Sequence, residues 1–354
     1  MKTLKKYLNR IFIDGLSGMA LGLFGTLIIG TIIQQISTMI SGSIGDYLFL
    51  IAKVACLLTG AGIGVGVAYK FKESPLVVVS SATAGMVGAY AGKIIDANIF
   101  ADNTFHIMPP GEPLGAFVAA YVAIEVGHLI SGKTKIDIIV TPFLSILAGS
   151  SAGLLLGPRI TSFMKMLGNL INWGTEQQPF LMGIIVSVLM GMILTLPISS
   201  AALSISLQLS GIAAGAATVG CCANMIGFAV ASYRENKFGG FLAQGIGTSM
   251  LQVPNIVKKP LIWLPAIISS AILGPLSTKV FMMTNNAQGA GMGTSGLVGQ
   301  INTYTTMVSN EAGMVVLLKI LFLHFILPAA IAWVTSELMR KKGWIKENDM
   351  KLEL

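Results

Sequence analysis

The sequence predicts an all-α polytopic membrane protein with about ten transmembrane helices, and three observations carry that expectation. Apolar residues make up 54% of the chain and charged residues only 11%, against roughly 25% charged in ordinary soluble domains. The mean hydropathy is +0.78. Nearly charge-free windows of about 20 residues, each long enough to cross a hydrocarbon core of about 30 Å as a helix, recur from end to end. Segments of about 10 residues with alternating polarity, the mark of a membrane barrel, do not occur. The net charge of +8 is not a nucleic-acid signature, because the lysines and arginines cluster at the ends of the apolar stretches.

Taken in order, the spans are expected near 12–40, 47–69, 75–96, 114–131, 137–157, 179–199, 203–231, 261–283 and 312–337. The opening "MKTLKKYLNRIFIDGLSGMALGLFGTLIIG" has the basic head of a signal peptide, but its apolar body is too long and lacks a cleavage site, so it reads as a retained first span. Segments 240–257 and 287–307 are only moderately apolar, and each suits a crossing, a re-entrant hairpin or an interfacial helix. Basic residues favour the cytoplasmic side. Both termini are therefore expected there, and this requires an even number of spans. If 240–257 crosses, fifteen of the 23 lysines and arginines fall inside, which favours ten crossings.

The two halves resemble each other weakly, "FIDGLSGMALGLFGTLIIGTII" opening the first and "FLMGIIVSVLMGMILTLPISS" the second. Five crossings per half would invert the second relative to the first, as in inverted-repeat transporters. The expected organisation is a membrane half over 1–157, an amphipathic interfacial linker over 158–178, a second membrane half over 179–339 and a basic cytoplasmic tail over 340–354.

Two polar interruptions stand out, since broken helix is tolerated at membrane depth only where it is buried in protein or lines a cavity. In "HIMPPGEPLGAFVAA" (106–120), Pro109, Pro110 and Pro113 forbid continuous helix, and Glu112 falls beside the positive end of the helix that follows. An ordinary surface loop explains this segment about as well. In "TNNAQGAGMGTSGLVGQ" (284–300), Asn285, Asn286, Gln288, Thr294, Ser295 and Gln300 are neutral donors and acceptors set among glycines, the chemistry suited to an uncharged, many-hydroxyl solute. The candidate substrate-binding residues are His106, Gly111, Glu112, Asn285, Asn286, Gln288, Gly291, Gly293, Thr294 and Ser295, with the glycines allowing close backbone approach.

Other features carry less. "GHLISGKT" (127–134) matches a phosphate-loop pattern, but that pattern needs a strand before it and a helix after it; here a membrane span precedes it. "GAGMGTSG" (289–296) echoes a dinucleotide fingerprint with the wrong spacing. Lys319, His324 and Glu311 are candidate intramembrane charges, Lys319 pairing with Glu311 or Glu112, or snorkelling. Glu125 and His128 lie three apart on one helix face. Cys56, Cys221 and Cys222 sit in apolar sequence and read as buried small hydrophobes. Neither a catalytic set nor a metal-ligand spacing is visible, so no cofactor and no metal are expected.

Several irregular strings recur in a familiar order. "PGEPLGAFVA", "SGKTKIDIIVTP", "LPISSAALSISLQLSGIAAGAATVGCCANMIGFA", "GTSMLQVPNIVKKPLIW" and "NAQGAGMGTSGLVGQI" resemble the membrane subunits of phosphotransferase-system sugar transporter IIC, a group that includes perfringolysin-regulator-like membrane proteins of Gram-positive bacteria. The resemblance spans nearly the whole chain. It implies a multi-pass permease of the bacterial cell membrane that moves a sugar inward while separate IIA and IIB subunits phosphorylate it, because no carrier domain is recognised in these 354 residues. A role for Glu112 in binding substrate hydroxyls enters by analogy with the glutamate motif of other sugar permeases.

The expectation is thus a sugar or small-polar-solute permease subunit in the lipid bilayer, assembled as a homodimer. Two other readings stay open: a membrane-embedded ligand sensor without net transport, and a phosphorylation-independent organic anion transporter using Lys319 and helix N-termini as counter-charges.

Overall fold

The computed structural model describes residues 9–95, 100–101, 104–105 and 111–352. Apart from a two-residue antiparallel ladder pairing β1 (Phe100–Ala101) with β2 (Thr104–Phe105), the described elements are helical. His106, Pro109 and Pro110 lie outside the described residues.

Among the described residues, six helices are long and apolar enough to cross a membrane, or seven with one bent pair taken as a single span. The first is α1 (Arg10–Met39), which contains two π-helical turns. The bent pair is α2 (Ser43–Leu57) and α3 (Thr59–Lys70), meeting at 54°. Two short pieces follow, α4 (Pro75–Ala89) and α5 (Ala91–Ile95), then the spans α6 (Pro113–Ile130) and α7 (Asp137–Thr175). Next come the apolar helix α8 (Pro179–Thr195), the short α9 (Ser200–Ser206) and the span α10 (Gly211–Ala231). Then α11 (Tyr233–Leu242) leads through π- and 3₁₀-helical turns to α12 (Val253–Lys258). The spans α13 (Pro260–Val280) and α16 (Gly313–Lys341) bracket two short helices, α14 (Ala287–Ala290) and α15 (Val298–Met307).

Three of these stretches carry backbone detail that hydropathy does not show. The 47–69 stretch is two helices bent at Leu58. Residues 158–175 continue α7 with Pro158 inside the helix, so no break separates them from the span before. The 240–257 segment is not one continuous helix: its backbone turns extended at Thr248 and re-forms as a short 3₁₀ turn.

The chain divides into two compact units, Met1–Lys165 and Met166–Leu354. Without a hydrophobic drive between helices in lipid, close backbone packing at small residues supplies much of the association, and both units use it. In the first, a Cβ added at Gly22 would sit 2.1 Å from the Gly62 carbonyl oxygen, and one at Gly88 would sit 2.3 Å from that of Gly115, so α1, α3, α4 and α6 touch backbone to backbone. In the second, a Cβ at Gly220 would meet Ser187 O at 1.9 Å and one at Gly274 would meet Gly183 O at 2.0 Å. Helix α10 is the centre of this unit, its apolar window 89% buried. Large apolar side chains such as Val79, Ile138, Leu155 and Met314 stay exposed, as a surface solvated by lipid requires.

Candidate solute-binding site

The glycine-rich interruption of the second unit is a broken, buried segment whose backbone is held by neighbouring helices. Asn286 opens it by capping α14, its Oδ1 accepting from the amides of Gln288 (3.1 Å) and Gly289 (3.0 Å). Ser200 and Ser204 are four apart, hence on one face of α9. Ser200 Oγ donates to Gly291 O at 2.6 Å and Ser204 Oγ to Ala287 O at 2.7 Å. Gly291 can lie this close because it has no side chain; a Cβ there would be 2.4 Å from Ser200 O. Gly293 adopts φ +54° against the backbone of Cys221, and Leu297 is left-handed at φ +59°, an unusual conformation for a branched side chain.

Asn285 anchors the segment to α10 and α15. Its Nδ2 reaches Thr218 Oγ1 at 2.7 Å, Thr303 Oγ1 at 3.0 Å and Gly299 O at 3.2 Å, while its Oδ1 accepts from the Asn286 amide at 2.8 Å. Thr294 Oγ1 donates to Gly245 O. Gln288 is exposed. Ser295 Oγ is buried and has no hydrogen-bond partner among the described residues. A chain break that would otherwise be costly in an apolar medium is thereby nearly satisfied. The serine and threonine partners on α9 and α10 were not singled out from sequence, although the four-residue spacing of Ser200 and Ser204 is a readable signal.

A second polar cluster ties the core of this unit together. Asn224 on α10 donates to Ser270 Oγ (3.1 Å) and accepts from Thr195 Oγ1 (3.2 Å) and from the indole N–H of Trp263 (2.9 Å). Trp263 spends its one side-chain donor on this buried amide. His324, on a π-helical turn of α16, touches Gln300 Nε2 through its Nδ1 at 3.1 Å. Lys319 on the same helix pairs with Glu311 at 2.7 Å and donates to Phe281 O at 2.9 Å.

In the first unit, Glu112 stands at the N-terminus of α6. Its Oε1 accepts from Leu114 N at 3.4 Å, and its own amide donates to Ala89 O at 2.8 Å. Gly111 is packed so closely on Ala89 that a Cβ would lie 2.7 Å from that methyl. Glu125 and His128, read as a helix-face pair, join a network instead: Arg10 donates to Glu125 (2.9 Å) and to Glu73 (3.1 Å), and His128 Nδ1 contacts the other Glu73 oxygen at 3.0 Å. The "GHLISGKT" stretch closes α6 and turns at Gly132 (φ +75°), with Asp137 accepting from the Gly132 amide at 2.9 Å. A helix rather than a strand precedes it, so the phosphate-loop geometry is not present.

Apolar helices of crossing length around polar, broken, internally bonded segments define a multi-pass membrane protein. The family profile described as phosphotransferase system, EIIC, matches residues 13–352. The chain belongs to this family, as the resemblance of its irregular strings implied. Comparison with curated proteins finds no match. Family membership and the apolar helices together support a permease of the phosphotransferase type, and membership implies a sugar substrate and work alongside IIA and IIB phosphocarrier subunits.

Proposed function

We propose that this protein is the membrane permease component that carries an uncharged sugar or a closely similar polar solute, with phosphoryl transfer performed by separate IIA and IIB proteins. The observation that carries the reading is the buried 285–300 segment, in which side chains from α9, α10 and α15 consume most polar backbone and amide groups while Ser295 Oγ stays buried without a partner. Asn285 and Asn286 set the shape of the segment. Gln288, Thr294, Ser295 and the glycine backbone at 291 and 293 contact the solute. Within the first unit, taken by itself, Glu112 at its helix start is the candidate contact to a solute hydroxyl, with Gly111 and His106 near it in sequence. The three cysteines are buried, which supports placing the phosphocysteine chemistry on a partner.

The ten-crossing, inverted arrangement, the homodimer and the cytoplasmic placement of both termini belong to the same proposal. The count treats the broken run from α11 through α12 as one interrupted crossing.

The test is uptake of labelled sugars in a bacterial strain lacking its own sugar permeases, with the chain co-expressed with IIA and IIB proteins. Uptake that depends on the phosphoryl donor supports the reading. Binding without uptake points to a sensor, and accumulation of organic anions without donor points to the third class. Glu112→Gln should remove uptake without changing membrane levels, and normal uptake by that variant refutes the role given to Glu112.

A further inference from the structure

Gln300 and His324 form a buried pair with unspent hydrogen-bonding capacity. His324 is 0% exposed and Gln300 8% exposed. Gln300 Nε2 contacts Cys222 Sγ at 3.3 Å and His324 Nδ1 at 3.1 Å, so one end of the amide is occupied. The other end, Oε1, has no partner among the described residues, and neither does His324 Nε2. Buried polar atoms are almost always paired, so two orphans on side chains in mutual contact call for an explanation.

The conclusion does not depend on which way the amide is oriented, an assignment that rests on the hydrogen-bond network. With Nε2 facing the imidazole, Nδ1 accepts, His324 Nε2 carries a proton and Gln300 offers a free acceptor. With the amide reversed, Nδ1 donates to the carbonyl, His324 Nε2 becomes the free acceptor and the Gln300 amino group the free donor. Both neutral arrangements leave one donor and one acceptor. Hydroxyl groups suit both positions, because each hydroxyl can donate or accept as the position requires. A carboxylate, which only accepts, can serve the free donor but leaves the free acceptor without a partner.

The backbone at both residues is irregular. His324 sits within the π-helical turn Leu321–Ile326, and π-bulges are frequent at functional sites. Gln300 follows Gly296 and Leu297, consecutive residues with φ near +53° and +59°, a conformation that persists only where surroundings impose it.

We infer that Gln300 and His324, with Cys222 fixing the amide, form a receptor for hydroxyl groups of an uncharged, polyhydroxylated solute and select it over carboxylate-bearing analogues. This rests on the permease reading for its substrate class and adds to it the residues that discriminate.

The experiment uses the full-length protein in lipid nanodiscs. Thermal shift, followed by titration, is measured with D-glucose, N-acetyl-D-glucosamine, maltose and D-mannitol, with D-gluconate and D-glucuronate as charged counterparts. At least one uncharged compound should raise Tm, and its charged counterpart should bind at least tenfold more weakly. The double variant Gln300→Met, His324→Leu should weaken that binding at least tenfold while its ligand-free Tm stays level or rises, since replacing both polar partners by apolar groups is nearly neutral or stabilising. Affinity in the double variant within twofold of the original protein overturns the inference. So does preference for the sugar acids, a marked fall in ligand-free Tm with binding retained, or the absence of a shift with every uncharged compound. Binding that behaves as expected without uptake in cells sinks the permease reading alone, so the two failures are separable.

Discussion

Single side chains in this protein matter through the number of buried partners they satisfy. Asn224 answers Thr195, Ser270 and Trp263 together. Asn224→Leu keeps the number and branching of side-chain heavy atoms and leaves the indole N–H without an acceptor; an unsatisfied buried group costs about 1–3 kcal/mol. A Tm lowered by several degrees in detergent is the expected result, with little change for Asn224→Asp if the protonated acid reproduces the bonds. Arg340 is the charged counterpart: it pairs with Glu235 at 2.8 Å, and the side chains are 11% and 2% exposed. Arg340→Met strands the carboxylate and should cost about 3–5 kcal/mol, whereas Arg340→Met with Glu235→Leu should recover most of it. A double-mutant cycle on thermal unfolding checks both. Glu235 and Arg340 lie 105 residues apart, and nothing in the local sequence of either selects the other. The candidate residues at 285–300 were legible because they cluster along the chain; Ser200, Ser204 and His324 complete their surroundings only through folding.

At the scale of elements, residues 345–352 form a strap held against the rest of the second unit. Ile345 and Met350 are buried with Phe228, Ile262 and Met339. Amides read the strap's main chain: Asn236 Nδ2 donates to Met350 O at 2.8 Å, Asn255 Nδ2 to Lys351 O at 2.9 Å, and the Leu352 amide donates to Asn236 Oδ1 at 2.8 Å. Asp349 pins it through the Lys259 ammonium and the Lys346 amide. Partial burial pushes the Asp349 carboxyl up, but these hydrogen bonds and charges outweigh it and hold the group below its ordinary value of 3.8. A carboxyl whose folded pKa is depressed stabilises the folded state above its unfolded pKa and loses that contribution as pH falls through the folded one. Strap docking should therefore be indifferent to pH from 7 to about 5 and loosen only below about 3.9. Hydrogen exchange at the Leu352 amide should show this, and Asp349→Asn should exchange faster at neutral pH with the acid dependence gone. The composition "RKKGWIKENDMK" announces a basic terminus; the carbonyl-by-carbonyl fit to Asn236, Gln252 and Asn255 is invisible in it.

Over the whole chain, the count and direction of crossings is the feature that hydropathy approaches but does not finish. Among the described residues, six or seven helices meet the length and apolarity of a span outright, while α4 and α8 are 15 and 17 residues long and the run from α11 to α12 is broken. In a version with Cys56, Cys221 and Cys222 replaced by alanine, single cysteines at Lys72, Lys133 and Lys342 should react with an impermeant maleimide only from the cytoplasmic side of inverted vesicles. Labelling of any of these from the outside would break the ten-crossing scheme. Membrane residence, helical class and family could be read from sequence because they follow from quantities summed along neighbouring residues: apolar runs, span ends marked by lysine, and short irregular strings. Which polar groups find partners was decided only by tertiary structure. Asn285 meets Thr218 across 67 residues and Gln300 meets Cys222 across 78, and the hydrogen bond that makes a buried polar atom tolerable depends on distance in space, which the linear order of residues does not encode.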